Sequence, residues 1–491
     1  MRRTKILATV GPASWDLVGL RRLIDAGADA LRVNFSHGTD DEHRAVLARI
    51  HAVRDRVGRP VAIVADLQGP KIRLGPLVPS PLRLEDGDTW TLEAGERPGN
   101  SRGAYVSLPD LDDAARVGDP VLLGDGGVEL VVERVARGQA TLRAVHGGAV
   151  TSNAGVFLPR AHLRTTILGP RDLHDLDVAL SAGVDFIALS FVRDARDIVS
   201  ARREIDRRRP AEPPRIIAKI ERAEALGRID SILPVTDAVM VARGDLGIEV
   251  PLERLALEQK MLVRKANAAA RPVIVATQML LSMLRSPRPT RAEATDVGNA
   301  VLDGADALML SEESAVGEYP VDSVRWLDRI AAAMERELTR EPRGMGEGTS
   351  DIPLERAVAE GAVRLAHELK ASAIVTPTHS GRTARLVASH RPSAPILALS
   401  SQPATVRQLA LVWGVRSFPS PKHLSLDALR ELAVRSAHEH LRDGPRRPIV
   451  MTAGYPVEGR ATNLVTVLEP VPSGAPTPRR PRAPKGRPGS A

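Results

Sequence analysis

The most constraining feature of the sequence is a series of eight short apolar, β-branched runs separated by longer amphipathic stretches. Successive runs begin about 22 to 35 residues apart, except for one interval of 125 residues between the third and the fourth. Uninterrupted apolar runs are typical of parallel strands buried on both faces. Eight such strands alternating with helices favour an α/β fold, a (β/α)8 TIM barrel. The runs begin near Lys5, Ala30, Val61, Phe186, Ile216, Ala238, Val273 and Ala307.

Helix signals between the runs are explicit in two places. Ser14 is positioned to cap a helix over Trp15 to Ala26, which Gly27 would end. Leu255 to Ala270 has apolar residues at helical spacing and is followed by an Arg-Pro pair. Both stretches therefore support helices that connect neighbouring strands.

The long interval and the sequence after the eighth run indicate further domains. The interval alternates short β-type runs with Gly- and Asp-rich turns, which predicts a small all-β domain inserted into the barrel. A long helix from Pro320 to about Arg340 follows the eighth run, and an α/β pattern then resumes. We predict a barrel over residues 1–70 and 160–340, an insert over 71–159, a linker over 341–351, a C-terminal α/β domain over 352–469 and a disordered basic tail over 470–491.

Composition excludes several classes of function. The chain has a charge of +8, but five basic residues lie in the acid-free tail, and without them the remainder has +3. Aromatic residues make up 2%, so few platforms for base stacking exist and we expect no specific nucleic-acid partner. There is no cysteine, which excludes thiolate catalysis. No apolar run is long enough for a membrane span or a signal peptide, so we expect a cytoplasmic protein without a membrane partner.

Polar residues follow the predicted strands at seven of their eight carboxyl ends, where barrels of this class place their active sites. Taken singly, each has a plain structural explanation, such as an ion pair for Arg32 or a turn for Asp245. Their occurrence together favours one functional site. They include Arg32, Asn34, Ser36, Asp66, Lys71, Arg73, Ser190, Lys219, Glu221, Gly244, Asp245, Thr277 and Ser311.

Two of these ends predict a metal site. Residues i and i+2 of a strand share one face, so Lys219 and Glu221 point together, and Glu221 neighbours Asp245 on the next strand. Two carboxylates suit Mg²⁺, which prefers one or two carboxylates together with substrate oxygens. Arg32 and Lys219 would add positive charge beside the ion. Phosphoryl transfer depends on such a cationic cup, because its catalysis is mostly positioning and neutralisation of oxygen charge.

Long segments of the chain resemble the pyruvate kinase family. The resemblance is strong over the barrel, moderate over the C-terminal domain and weak over the insert. It implies transfer of the phosphoryl group of phosphoenolpyruvate to ADP, which gives pyruvate and ATP. The matching segments are RRTKILATVGPAS (2–14), LRVNFSHG (31–38), DLQGPKIRLG (66–75), DFIALSFVR (185–193), AKIE (218–221), MVARGDLGIEV (240–250), ATQMLLSM (276–283) and the run from Pro287 to Pro320.

The resemblance also implies roles for the matching residues. Lys219 would stabilise the transferring phosphoryl group, and water near Thr277 and Ser311 would protonate the enolate. Glu221 and Asp245 would hold Mg²⁺, for which Mn²⁺ can substitute. The insert would close over the site as a lid. The implied catalytic set is Lys219, Arg32, Thr277 and Ser311; the substrate set is Arg32, Lys219, Gly244, Asp245 and Thr277; the nucleotide set is Asn34, His37 and Arg73.

The positions at which the chain differs from the family pattern are informative. Many members bind K⁺ through residues matching Asn34, Ser36 and Asp66, and these have Glu where this chain has Lys71 and Thr where it has Leu67. The chain therefore resembles the K⁺-independent bacterial branch. A lysine ammonium can supply the charge that K⁺ otherwise brings. We predict that K⁺ is not required. Ala154 and Phe157 also stand where many members have Lys and Asn, which bears on ADP affinity.

A loop of the C-terminal domain predicts an effector site. Hydroxyls and a glycine precede a helix that starts near Thr383, and a helix N-terminus binds phosphate readily. Alone, the pattern is equally compatible with a capped turn. In the family the matching loop binds a phosphorylated effector, AMP or a sugar phosphate, and members are commonly homotetramers, which we expect here. The predicted phosphate contacts are Thr378, Ser380, Gly381, Arg382 and Thr383.

Two other functions remain open from the sequence. A Mg²⁺-dependent phosphoenolpyruvate or oxo-acid lyase could use a similar barrel, but it would not need a nucleotide lid or Arg73. A catalytically silent effector-binding relative is the second alternative. The chain retains the residues expected to be catalytic or metal-binding, which argues against it: Lys219, Glu221, Asp245 and Thr277.

Overall fold

The computed structural model describes residues 2–95, 97–159, 161, 166–337, 353–441, 444–455 and 461–469. The predicted linker at 341–351 and the predicted tail at 470–491 lie outside these residues. The strands are β1 (Lys5–Thr9), β2 (Ala30–Asn34), β3 (Ala62–Leu67), β4 (Leu82–Leu84), β5 (Thr89–Ala94), β6 (Gly103–Val106), β7 (Pro120–Leu123), β8 (Val128–Ala136), β9 (Gln139–His146), β10 (Gly148–Val150), β11 (Val156–Phe157), β12 (Phe186–Leu189), β13 (Arg215–Ile220), β14 (Ala238–Ala242), β15 (Val273–Ala276), β16 (Ala307–Leu310), β17 (Ala373–Pro377), β18 (Ile396–Ser400), β19 (Val415–Pro419), β20 (Ile449–Ala453) and β21 (Leu464–Leu468).

The α-helices lie mainly between these strands. They are α1 (Leu17–Ala26), α2 (Asp40–Arg54), α3 (Leu111–Ala114), α4 (Pro170–Ser181), α5 (Ala195–Arg208), α6 (Ala223–Gly227), α7 (Ile229–Ile232), α8 (Arg243–Glu249), α9 (Leu255–Ala268), α10 (Arg291–Asp303), α11 (Glu312–Ala315), α12 (Pro320–Glu337), α13 (Leu354–Glu368), α14 (Arg382–Ser389), α15 (Pro403–Gln408) and α16 (Leu426–His440). Short 3₁₀ turns cover Leu252–Arg254, Leu281–Leu284 and Leu409–Leu411.

Eight parallel strands close into the predicted barrel, in the order β1-β16-β15-β14-β13-β12-β3-β2. Side chains alternate across each strand. Leu7 faces a core inside the barrel, whereas its neighbours Ile6 and Ala8 face the helices outside. Ala410 and Leu411 of the C-terminal domain join the inner core. The barrel is therefore a packed scaffold, and functional side chains are confined to its ends.

The insert forms the predicted β domain, with one helical turn, α3, that the sequence reading did not include. Its main sheet has the order β11-β7-β8-β9-β5-β6 and is mixed, because β5 and β6 run parallel. The two connections to the barrel pair with each other. Arg73 and Gly155 form an antiparallel bridge, flanked by the hydrogen bonds Leu74 N–Ala154 O (2.9 Å) and Val156 N–Ile72 O (3.0 Å). We call this paired segment, residues 72–74 and 154–156, the stalk.

The C-terminal domain is a five-stranded sheet in the order β19-β18-β17-β20-β21, with β21 antiparallel to the rest. It docks on the barrel through buried ion pairs. Arg407 reaches Asp185 (2.7 Å) and Arg391 reaches Asp306 (3.0 Å), both at the N-terminal side of barrel strands. The loop predicted to bind an effector therefore lies on the N-terminal side of the barrel strands, where Arg215 contacts Ser380 O, and away from the polar strand ends.

Two local predictions are wrong. Asp16, not Ser14, caps α1, since its carboxylate accepts from Gly19 N at 2.6 Å, while Ser14 donates to Ser314 O in the last βα loop. The sequence reading also missed β19, whose five residues include an arginine and end in proline. The end of α1 at Gly27, which has φ 123°, is confirmed. Among the described helices, none combines the length and the apolarity required to cross a membrane.

Candidate active site

A buried ionic network occupies the carboxyl ends of β2, β3 and β13. Lys219 Nζ lies 3.1 Å from Asp66 Oδ1 and 2.9 Å from Glu221 Oε1. Arg32 Nε lies 2.6 Å from Asp66 Oδ2. Asp66 thus bridges the two cations that the sequence places on separate strands, and all four groups are buried. This network brings together four of the predicted site residues.

Ser190, at the end of β12, completes the network. Lys219 donates to its hydroxyl at 2.6 Å, and that hydroxyl donates to Leu67 O at 2.7 Å. The sequence reading noted Ser190 as a strand end but gave it no role. Ser190 thus gives the Lys219 ammonium a third partner, besides Asp66 and Glu221.

Protonation in the network follows from burial and charge. Burial alone would raise the pKa of Asp66, but Arg32 and Lys219 outweigh it and hold the pKa below its usual value. Burial alone would lower the pKa of Lys219, but Asp66 and Glu221 raise it above its usual value. Both groups are therefore charged at neutral pH.

Glu221 differs from Asp66, because its pKa is raised. Burial is the main cause, and the nearby Asp245 carboxylate adds to the rise although Lys219 opposes it. Its Oε2 accepts from the backbone N of Phe191 at 2.6 Å, and Phe191 adopts a left-handed φ of 58° that non-glycine residues rarely adopt. Glu221 and Asp245 thus share negative charge that a divalent cation would neutralise.

The donor set fits Mg²⁺. Glu221 and Asp245 supply hard carboxylate oxygens from adjacent strand ends, and Asp245 is partly open to solvent, with a quarter of its side chain exposed. Mg²⁺ binds readily to one or two carboxylates while keeping room for water and substrate oxygens. No thiolate or imidazole of the described residues joins this pair, which is consistent with a hard cation.

Lys71 lies at the base of the stalk, beside Asp245. Its ammonium is 3.4 Å from Asp245 Oδ1, and 5.7 and 6.0 Å from the ring centres of Phe157 and Phe191. Among the contacts between described residues, none joins Lys71 to Asn34, Ser36 or Asp66. The lysine thus supplies a positive charge to the site, but through Asp245 and not through the predicted K⁺ ligands.

Gly244 and Thr277 form a second predicted pair. Gly244 N donates to Thr277 Oγ1 at 2.8 Å, and that hydroxyl donates to Ala276 O at 2.6 Å. Thr277 has a φ of 69°, a strained conformation for a β-branched residue. Arg243 donates to Thr277 O at 2.8 Å while it pairs with Asp296 at 2.6 Å, and so holds the strained turn in place. Sequence reasoning missed this positioning role.

The residues assigned to the nucleotide side surround the β2–α2 loop. Asn34 lies opposite Asp66 in strand register and accepts from Ser36 N at 3.3 Å. His37 is exposed; partial burial lowers its pKa, and the charges of Arg73, Arg32 and Lys71 lower it further. Arg73, on the stalk, contacts Asn153 O at 3.4 Å. The positive charges of Arg73, Arg32 and Lys71 are therefore near enough to His37 to act on its ring.

Ser311 follows β16, and the structure shows its backbone engaged. Ser311 N donates to Glu313 Oε2 at 2.7 Å, and Leu280 N donates to Glu313 Oε1 at 3.0 Å. Glu313, to which sequence reasoning gave no role, thus ties the β15 and β16 loops together. No hydrogen bond between described residues joins the Ser311 side chain to Thr277.

The C-terminal loop shows both a capped turn and an open helix N-terminus. Thr378 Oγ1 accepts from Gly381 N at 3.0 Å, and Thr383 bonds to Thr462 through their hydroxyls at 2.8 Å. Arg382 is exposed and pairs with Glu355. Ser380 is exposed, and its carbonyl accepts from Arg215 and from Arg385. Residues 456–460 lie outside the described residues.

Comparison with known proteins gives one consistent answer. The family profile for the pyruvate kinase barrel domain matches residues 1–324, and that for the pyruvate kinase alpha/beta domain matches residues 356–468. The chain is 42% identical over 471 residues to a pyruvate kinase of Mycobacterium tuberculosis, covering 95% of this chain and 98% of the relative. It is 41% identical over 473 residues to one of Geobacillus stearothermophilus, covering 95% and 80%.

A solved structure agrees in fold. The crystal structure of a pyruvate kinase from Cryptosporidium parvum has a TM-score of 0.86, with 33% identity, and the match covers 95% of this chain and 96% of that one. This chain, with its closed barrel, inserted β domain and buried Lys219 network, thus matches one group of enzymes over 95% of its length. The chain belongs to the pyruvate kinase family.

Proposed function

We propose that the buried network around Lys219 is the phosphoryl-transfer centre of this protein, which is an enzyme that transfers the phosphoryl group of phosphoenolpyruvate to ADP. The observation that supports the proposal is the Lys219 ammonium held between Asp66, Glu221 and Ser190. A cation fixed in advance can neutralise the equatorial phosphoryl oxygens without reorganisation. Arg32, fixed by Asp66, adds a second charge toward the substrate phosphate. Family membership favours this transfer over the lyase and the silent relative.

Mg²⁺ would be held by Glu221 and Asp245 and would supply charge neutralisation to substrate oxygens. The Gly244–Thr277 pair lines the side of the site nearest to Asp245, and we propose that it orients the substrate carboxylate. Thr277 and Ser311 lie on the last two barrel loops, where a proton would reach the enolate through water. Asn34, His37 and Arg73 form the open edge that suits ADP phosphates.

We expect pyruvate formation that depends on ADP and Mg²⁺ in a buffer free of K⁺, with little gain on K⁺ addition. The reason is that Lys71 already places an ammonium 3.4 Å from Asp245. The double variant Leu67→Thr/Lys71→Glu should require K⁺, because it removes that charge and supplies an oxygen-rich pocket. The measurement is the initial rate of pyruvate formation with and without K⁺.

The variant Lys71→Gln serves as the control, since it removes the charge without adding a carboxylate. Wild-type activity that appears only with K⁺ would refute K⁺ independence while leaving the transfer reaction intact. A double variant with equal rates in both buffers would refute the role of Lys71.

We also propose the larger organisation that the sequence predicts. The barrel would span residues 1–70 and 160–340 and the lid 71–159, supported by the position of the stalk. The linker would span 341–351 and the regulatory domain 352–469. A cytoplasmic homotetramer is proposed by resemblance to the family. The effector is a phosphorylated molecule of the AMP or sugar phosphate class, bound at Thr378, Ser380, Gly381, Arg382 and Thr383.

Ser380→Asp should weaken binding of AMP or a sugar phosphate at least tenfold, or abolish it. The substitution places a carboxylate where the α14 N-terminus would meet the phosphate. The control is Ser425→Asp, because Ser425 caps α16 by accepting from Ala428 N, and aspartate is an equally good cap. The measurement is calorimetric titration with each effector candidate. Equal affinity in the wild type and Ser380→Asp would place the effector elsewhere.

A further inference from the structure

A cluster of metal-ligating side chains lies outside the network described above, where α2 begins beside α4. A nitrogen of His43 and carboxylate oxygens of Asp40 and Asp175 all lie within 4.8 Å of one another. Asp40 is in the first turn of α2, His43 is one turn later, and Asp175 is in α4. Spacing i, i+3 places Asp40 and His43 on one face of α2, and that face meets Asp175.

The cluster contains buried polar atoms without hydrogen-bond partners. His43 is 5% exposed and Asp175 is 3% exposed. Among the residues that the structure describes, neither His43 Nδ1 nor Asp175 Oδ2 has a hydrogen-bond partner. Buried polar atoms nearly always form hydrogen bonds, so a ring nitrogen and a carboxylate oxygen that both lack one at the same place indicate room for a ligand between them.

The other contacts of His43 resemble those of a metal ligand. Its Nε2 lies 2.8 Å from His37 O, and because a carbonyl can only accept, Nε2 bears the hydrogen. Nδ1 is then left with a free lone pair. Imidazoles that bind metals commonly donate their second N–H to a backbone carbonyl, which fixes the tautomer and the ring orientation. The ring also packs against Phe35 with centroids 4.2 Å apart.

The charges around the cluster permit a cation. Arg171 forms an ion pair with Asp175, but its Nε is 3.8 Å from Oδ2, and its side chain is 58% exposed and can turn to solvent. His174 bonds to Asp40 from the solvent side. Asp40 is itself 45% exposed, which gives an ion a route from solvent to the buried nitrogen.

We propose that Asp40, His43 and Asp175 form a binding site for a divalent transition-metal ion of the Zn²⁺ class, separate from the phosphoryl-transfer centre. One imidazole nitrogen and two carboxylate oxygens, with a water as fourth ligand, suit Zn²⁺. Tetrahedral Zn²⁺ bonds of about 2.0–2.2 Å require the ligands to approach closer than 4.8 Å, which rotation of the two carboxylates allows. Because His43 also binds His37 O, the ion would stiffen the β2–α2 loop.

The test is calorimetric titration of Zn²⁺ into the full-length protein with Mg²⁺ saturating the carboxylate pair Glu221 and Asp245. We expect the wild type to bind Zn²⁺ at this site and Asp40→Asn and Asp175→Asn to bind it at least tenfold more weakly. Asp41→Asn is the matched control, because it removes the same charge one residue away at an exposed position. Zn²⁺ should also raise the Tm of the wild type and of Asp41→Asn, but not of Asp40→Asn.

Equal Zn²⁺ affinity in the wild type, Asp40→Asn and Asp175→Asn would overturn the proposal, as would a wild type that binds no Zn²⁺ under these conditions. If Asp175→Asn fails to fold, Asp40→Asn decides the question alone, since Asp40 is half exposed.

Discussion

Lys219→Met lowers turnover by roughly 10²–10³-fold, the scale for loss of one preorganised charge partner. Methionine keeps an unbranched stem of nearly the same length as that of lysine but removes the ammonium that Asp66, Glu221 and Ser190 hold in place. The loss should fall on kcat, because the cation acts most strongly on charge that develops during transfer. The measurement is steady-state pyruvate formation at saturating ADP and Mg²⁺.

The matched control is Lys265→Met, which removes a partly exposed lysine that pairs with Asp230 at 2.6 Å on the barrel exterior. It should leave kcat within about twofold, since surface ion pairs contribute little. The Tm of both variants separates misfolding from catalysis. A well-folded Lys219→Met enzyme with near-normal turnover would refute the role assigned to Lys219.

Glu221→Gln should raise the Mg²⁺ concentration for half-maximal activity by on the order of 10²-fold. Perturbing the surroundings of a metal ligand already costs about 10–100-fold in affinity, and this change removes a ligand charge outright. Glutamine can still accept from Phe191 N, so the left-handed turn at Phe191 keeps its partner. A direct readout is the binding of Mn²⁺, as a paramagnetic substitute, by electron paramagnetic resonance.

Glu253→Gln is the control for this change, because Glu253 is exposed and lies in the 3₁₀ turn that follows α8, the helix that carries Asp245. It should leave both Mg²⁺ dependence and Mn²⁺ affinity unchanged. Unaltered Mn²⁺ affinity in Glu221→Gln would show that the metal is held elsewhere.

Much of the fold was predictable, because its signals are local. Apolar runs such as those at Lys5 and Val273 are long enough to mark buried strands, and Gly27 marks a helix end through its positive φ. β19 was not predictable, since Arg416 and Pro419 interrupt its apolar character and its pairing with β18 is a tertiary contact. The sequence could not show whether Ser14 or Asp16 caps α1, because the Ser14 hydroxyl donates to the carbonyl of Ser314, 300 residues later.

The strand ends that carry the site residues were predictable, whereas several contacts of their side chains were not. The meeting of Lys219, Glu221 and Asp66 follows from barrel topology. The partner of Lys71 does not, because the stalk directs that side chain toward Asp245 and two aromatic rings. Arg243 and Glu313 were missed for a related reason: they act on backbone groups of neighbouring loops, and a sequence does not show which loop lies next to which.

The stalk has a consequence for modularity. Since residues 72–74 pair with residues 154–156, the chain leaves the barrel and returns to it as adjacent strands. The insert is therefore joined to the barrel as a single hairpin. This connection does not depend on the structure of the insert beyond the stalk. The entropic cost of closing such a hairpin grows only slowly with the length of the chain that it encloses. A different inserted domain, of similar or different size, is therefore compatible with the same barrel. The stalk is the natural junction for grafting such a domain.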